Sequence, residues 1–269
     1  MDRLHFAQGR RFAACVALAF VAFGGRAQTA PPAQPISEQR IAQIVASPDR
    51  SASDRINDQR RKPEQMLAFI GLRPGMVALD VSAGGGYTTE LLARAIGPTG
   101  VVYGQRPPPR DSGGGASVAA SAPAAPARNA GGPVAERDAR LRAGGVAAAP
   151  MVALFQPFDN PVPAAAADAR LDVVTLMFNY HDLGHPGIDR AAMNRAIFRA
   201  LKPGGIYVIA DHAGRPGTGI SESGTLHRIE EAFLRREVEA AGFRLLAQGD
   251  FLRNPADPLL MGRKLAVSF

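Results

Sequence analysis

Leu72-Arg73-Pro74-Gly75-Met76-Val77-Ala78-Leu79-Asp80-Val81-Ser82-Ala83-Gly84-Gly85-Gly86-Tyr87 passes from a turn, through an apolar run, into three consecutive glycines. Pro74-Gly75 is turn chemistry, and Met76 to Asp80 has the length and composition of a short buried strand. Tyr87 to Ile96 then carries Leu91, Leu92, Ala95 and Ile96 at helical spacing. A strand ending in Asp80 and turning through glycine into a helix is a ligand-binding arrangement. Glycine lets backbone approach a ligand closely, and the helix N-terminus offers unpaired N–H groups to a carboxylate or phosphate. A tight connection with no ligand would use the same residues, so the strand–Asp–glycine order carries the weight.

Outward from this unit the pattern keeps alternating. Val101-Val102-Tyr103, Met151 to Phe155, Leu171 to Phe178 and Ile206 to Ala210 read as further strands, with Phe243 to Ala247 and Lys264 to Phe269 as the last two. Between them, Asp189 to Leu201 repeats Met193, Ile197 and Leu201 every four residues, and Thr225 to Ala241 reads as one long amphipathic helix closed by Gly242. Upstream, Ser37 opens a helical stretch that ends before Pro48, and Lys62-Pro63 opens another that ends at Gly71. Asp49 to Arg61 is a polar, charged segment. Strands alternating with helices predict an α/β protein with a mainly parallel sheet covered on both faces.

Two segments stand apart. Arg3, Arg10 and Arg11 precede the apolar run Phe12 to Phe23 and the exit Gly24-Gly25-Arg26-Ala27, the anatomy of a cleavable export signal over residues 1–27. The run is short of the ~20 residues that span a bilayer, so no stable membrane anchor is expected after cleavage. Export leads to a periplasmic or secreted location and removes the single cysteine, Cys15, leaving no thiol or disulfide chemistry. It also removes four arginines, so the formal charge of +7 overstates the basic character. With no basic stripe interleaved with aromatics, no nucleic-acid partner is expected. Residues 28–36 read as a flexible leader. Residues 107–149 are dominated by Ala, Gly, Pro and Ser and read as a mostly disordered low-complexity insertion, with one helical candidate at Pro133 to Arg142.

From Leu72 through Asp80 into Ala83-Gly84-Gly85-Gly86-Tyr87 the chain resembles the first motif of class I S-adenosylmethionine-dependent methyltransferases, and Ala200-Leu201-Lys202-Pro203-Gly204-Gly205 resembles their turn before the fifth strand. The similarity covers roughly residues 60–269 apart from the insertion. Within that group it is most similar to exported bacterial methyltransferases, through Asn179-Tyr180-His181-Asp182, Asp211-His212, Leu226 to Glu231 and Arg253 to Pro258. The resemblance implies a Rossmann-like seven-stranded sheet whose last strand is antiparallel, with S-adenosylmethionine as cofactor. It implies cofactor contacts from Asp80, Ala83, Gly84, Gly86, Tyr87, Gln105 and Asn179. Two positions depart from the pattern: Ser82 replaces the usual first glycine, and Gly104-Gln105-Arg106 lacks the acid that accepts from the ribose hydroxyls. Gln105 is a neutral substitute for that acid. By position, Gln156 and Asp159 would face the adenine.

In a parallel sheet the ligand lies beyond the carboxyl ends of the strands. Two histidines follow strands there, and His181, Asp182 and His212 are the candidate catalytic residues, imidazoles oriented by carboxylates. The alternative is that Asp211 and His212 only cap a turn, and that His227 and Arg228 bind loop backbone. His181, His185, Asp182, Asp211 and His212 also offer metal-type donors, but Gly184 and Pro186 argue against a helix that would put 181 and 185 on one face, so no metal is expected. The expected function is methyl transfer to a small-molecule or envelope substrate of unknown identity. The competing reading is a non-catalytic or differently liganded binding protein on the same fold.

Overall fold

The structure, a computed structural model, describes residues 34–108, 131–184, 187–254 and 264–268, the main chain alone for 264–267. The export signal, most of the leader, residues 109–130 of the insertion, His185, and the end of the Arg253–Pro258 motif lie outside the described residues.

Five strands run parallel: β1 (Val77–Val81), β2 (Val101–Arg106), β3 (Met151–Phe155), β4 (Leu171–Met177) and β5 (Leu201–His212). β7 (Lys264–Ser268) pairs antiparallel with β5, and the three-residue β6 (Ala247–Gly249) pairs antiparallel with β7. The order across the sheet is β3-β2-β1-β4-β5-β7-β6. The chain adds strands on one side of β1 and then crosses to the other, so the crevice at the carboxyl ends of β1 and β4 is the topological switch point.

Both faces of this sheet are covered, which is why its central strands are apolar almost throughout. Ala78, Val173 and Val208 face the layer of α1 (Glu38–Ala46), α3 (Pro63–Ile70), α4 (Tyr87–Ile96) and α5 (Gly132–Ala143). Their neighbours Leu79, Val174, Tyr207 and Ile209 face α6 (Arg190–Ala200) and α8 (Glu231–Ala240). The period-two alternation of a pleated strand sorts one sequence run into two cores.

Several expectations are corrected. The polar stretch Asp49 to Arg61 contains a helix, α2 (Ala52–Arg61), whose N-cap Ser51 accepts a hydrogen bond from Asp54 N. It has no apolar stripe because its inward contacts are ion pairs. The single helix expected at Thr225 to Ala241 is two: α7 (Ser223–Leu226) and α8, separated at His227, which sits at φ +52°. Ile229 mimics the helical spacing, yet it is extended and bridges Ala213 beyond β5, which requires the break. Strand six begins at Ala247, not Phe243, because Phe243 packs its ring on Phe198 and Tyr207 instead. The helical candidate at Pro133 to Arg142 within the insertion is borne out as α5, which packs on β2 and β3 through buried Val134 and Leu141. Gly104 makes room for it, since a Cβ there would lie 2.9 Å from Val134 Cγ2.

Candidate functional site

The turn after β1 is shaped by its own backbone. Ser82, Gly84 and Gly86 have φ of +59°, +52° and +77°. Ser82 therefore adopts the left-handed region that a glycine would enter without strain. Two hydrogen bonds from the end of β2 hold it there: Ser82 N donates to Gln105 Oε1 (2.9 Å) and Ala83 N to Gln105 O (2.8 Å). A third ties the turn to the loop after β4, where Ser82 Oγ donates to Asn179 Oδ1 (2.6 Å). Asn179 Nδ2 in turn donates to Asp182 Oδ2 (2.9 Å).

A cavity of about 480 Å³ opens beside these two loops, lined by Ser82, Gly84, Arg106, Phe158, Asn179 and Asp182 among others. That volume falls in the usual range for a small-molecule site. A Cβ on Gly84 would meet nothing closer than Ser82 O at 3.8 Å, so this glycine leaves open space where a ligand can approach backbone.

Among the described residues, Ser82, Gly84, Asn179 and Asp182 line the cavity, while Asp80, Ala83, Gly86, Tyr87 and Gln105 lie around it and do not form its wall. Asp80 is sealed under the turn, accepting from Thr89 Oγ1 (2.6 Å) and Thr175 Oγ1 (2.9 Å). Burial raises its pKa to about 6 against the pull of those two hydroxyls. Ala83 is buried in the core. Gly86 faces Arg137, whose Cδ would be 2.8 Å from a Cβ there. Tyr87 stacks with Arg50 and Arg61, and its hydroxyl donates to Asp58 Oδ1 (2.7 Å). Gln105 is fully buried, one end of its amide accepting from Ser82 N and the other donating to Gln156 O (2.6 Å), so it braces the two loops. Gln156 and Asp159 also miss the cavity wall; Phe158 between them reaches it.

The histidines gather as the sequence suggested, but with different partners. Asp211 is fully buried at the end of β5. It accepts from His181 N (2.7 Å) and from His212 N (2.8 Å), and it contacts His181 Nδ1 at 2.5 Å. Burial disfavours a charged His181, but the hydrogen bond and charge of Asp211, with the charge of Asp182, raise its pKa above the ordinary histidine value. The His212 ring lies 5.6 Å from that of His181 and 5.7 Å from that of Phe178. His227 comes from beyond α7, with Nδ1 2.8 Å from Asp182 Oδ1. Of the three candidate catalytic residues, Asp182 lines the cavity, while His181 and His212 stand behind it.

Sequence reasoning missed the cross-strand His181–Asp211 pair, the reach of His227, and Arg106 in the cavity wall. Only Arg106 carried a local signal, at the end of the second strand.

No protein-family model matches the chain, and no curated protein sequence does. Solved structures do. A SAM dependent methyltransferase from Aquifex aeolicus superposes with a TM-score of 0.53 at 19% identity, over 87% of this chain and 97% of that one. A chain of the complex between the Haloferax volcanii Trm112 methyltransferase activator and a protein classed as a methyltransferase gives 0.50 at 18%, again over 87% and 97%. The chain has the fold of the class I S-adenosylmethionine-dependent methyltransferases.

Proposed function

We propose that the cavity at the β1–β4 crevice binds S-adenosylmethionine and that the protein transfers its methyl group to a small-molecule or envelope acceptor. The observation that carries this reading is the open face of Gly84, where a Cβ would meet nothing closer than 3.8 Å, with the Asp182 carboxylate in the same cavity wall. When bound, the cofactor supplies an electrophilic methyl group on a positively charged sulfur. Gly84 would admit its amino-acid end close to backbone, and Asp182 would offset its positive charge. Asn179 holds Asp182 and Ser82 in place, which fixes the geometry that aligned transfer needs. With its Nε2 unbound, His181, oriented by Asp211, would accept a proton passed through Asp182.

Arg106 favours a second reading. A guanidinium donates and does not accept, so it cannot do for ribose hydroxyls what a carboxylate does. A differently liganded binding protein would retain the Gly84 cradle and have no need of that acid. Titration calorimetry with S-adenosylmethionine and S-adenosylhomocysteine separates the two. Saturable binding of both, lost in Gly84→Ala and kept in Gly85→Ala, supports the first. The methyl group added by Gly84→Ala costs about 1–2 kcal/mol of left-handed strain, so the fold of that variant is checked by circular dichroism. Absence of binding at millimolar ligand would overturn it.

We further propose that residues 1–27 act as a cleaved export signal, so that the mature chain begins at Gln28 outside the cytoplasm. Among the described residues no helix is long and apolar enough to cross a membrane. Mass spectrometry of the chain recovered from the periplasm of an expressing bacterium should give Gln28 as its first residue. Recovery of the intact chain from the cytoplasm alone would rule out export.

A further inference from the structure

Three side chains from two separate loops bring donor atoms to one place beside the cavity. His181 and Asp182 occupy the short 3-10 turn His181–Gly184 after β4, and His227 follows α7. One donor atom from each lies within 4.8 Å of the others. Asp182 Oδ1 is 3.1 Å from His181 Nε2 and 2.8 Å from His227 Nδ1.

The other side of His181 explains why this is more than a polar cluster. Its Nδ1 lies 2.5 Å from Oδ1 of Asp211, a carboxylate with no solvent exposure. Such a partner keeps the imidazole proton on Nδ1 and turns the Nε2 lone pair outward. That lone pair then faces a carboxylate oxygen at hydrogen-bond distance, and two acceptors repel unless a cation lies between them. A second proton on His181 is one such cation, and a metal ion is another. Carboxylate–histidine–metal relays of this kind are how proteins orient a ligating imidazole.

We propose that His181 Nε2, Asp182 and His227 form a binding site for a divalent transition metal of the zinc class, with Asp211 as the residue that positions His181. Two imidazoles and one carboxylate suit zinc and leave its fourth position open. Asp182 lines the cavity, so the open position borders it. Tetrahedral bonds of about 2.0–2.2 Å set donor atoms roughly 3.4 Å apart. The two contacts to Asp182 are slightly shorter than that, and the side chain of His227, 65% exposed, can turn to adjust. The ligand set differs from the one considered on sequence: Asp211 backs a ligand instead of being one, and His227 from the next loop completes it. An ion there would act as a Lewis acid on a hydroxyl or water in the cavity. This inference does not depend on which organic ligand the cavity binds.

The test uses the full chain, stripped with a chelator and titrated with zinc chloride, with retained metal measured after gel filtration. About one zinc per chain is expected. His227→Ala, an exposed substitution, and Asp182→Asn should each weaken binding at least tenfold with circular dichroism unchanged. Asp211→Asn should weaken it about 10–100-fold, the usual cost of losing a ligand's backing partner. Cobalt substitution gives a second readout, a visible tetrahedral band that His227→Ala removes. No retained zinc, or zinc retained equally by the wild type, His227→Ala and Asp182→Asn, would overturn the proposal. The two variants probe different elements, so the loss of either to misfolding leaves the other to decide.

Discussion

Asp80 ends a strand exposed to ligand in the sequence reading and is sealed against α4 in the structure, held by Thr89 and Thr175. A carboxylate so buried holds its proton more tightly when folded, with a pKa near 6 against the ordinary 3.8. The folded state therefore binds more protons than the unfolded one between those values. By linkage, this group's contribution to stability is fully present below about pH 4 and is lost as pH rises through about 6. The amount is on the order of 3 kcal/mol. Urea unfolding at a series of pH values should show a flatter profile between pH 4 and 6 for Asp80→Asn than for wild type. Identical profiles would mean that Asp80 is not so buried. Gln105 teaches the same lesson. Its position at the end of β2 was legible, but its role depended on Ser82 N and Gln156 O coming within reach, and no local pattern encodes that.

Helices α2, α4 and α5 are joined less by apolar contact than by charge. Arg137 of α5 spans Asp54 of α2 and Glu90 of α4, with 2.6 Å contacts to each, and its Nε donates to Gly85 O in the ligand turn. Glu90 is nearly without exposure and also receives Arg94 and Arg140. Those three guanidiniums outweigh the burial that would otherwise raise its pKa, and it is lowered. Removing one partner from such a network leaves buried charge less compensated. Arg137→Ala should lower unfolding stability by about 3 kcal/mol, read as a shift in the urea midpoint. Arg142→Ala, which breaks the exposed pair with Asp138, should change it by less than about 1 kcal/mol. Equal effects would show that the network is only a solvated surface. A helix tied by ion pairs needs no apolar stripe, which is why α2 went unread.

For the whole molecule, binding energy and stability are linked. Ligand at a hundred times its dissociation constant stabilises a folded chain by about 2.7 kcal/mol. S-adenosylmethionine at that level should raise the thermal midpoint of wild type by several degrees and leave that of Gly84→Ala unmoved, as scanning calorimetry can measure. A rise in both would move the ligand away from Gly84. The alternation of apolar strands with amphipathic helices was decided by the sequence alone, because burial on both faces demands it residue by residue. So was the turn beside the cavity, since glycine at φ above zero after a strand is a local requirement of the chain from Ser82 to Gly86. Only the tertiary structure decided which polar groups meet. Asp211 met His181 across the crevice, and His227 reached Asp182 because Ile229 had to pair beyond β5 and broke the helix. Contacts between distant loops depend on strand order and packing, and neither periodicity nor spacing along the chain encodes them.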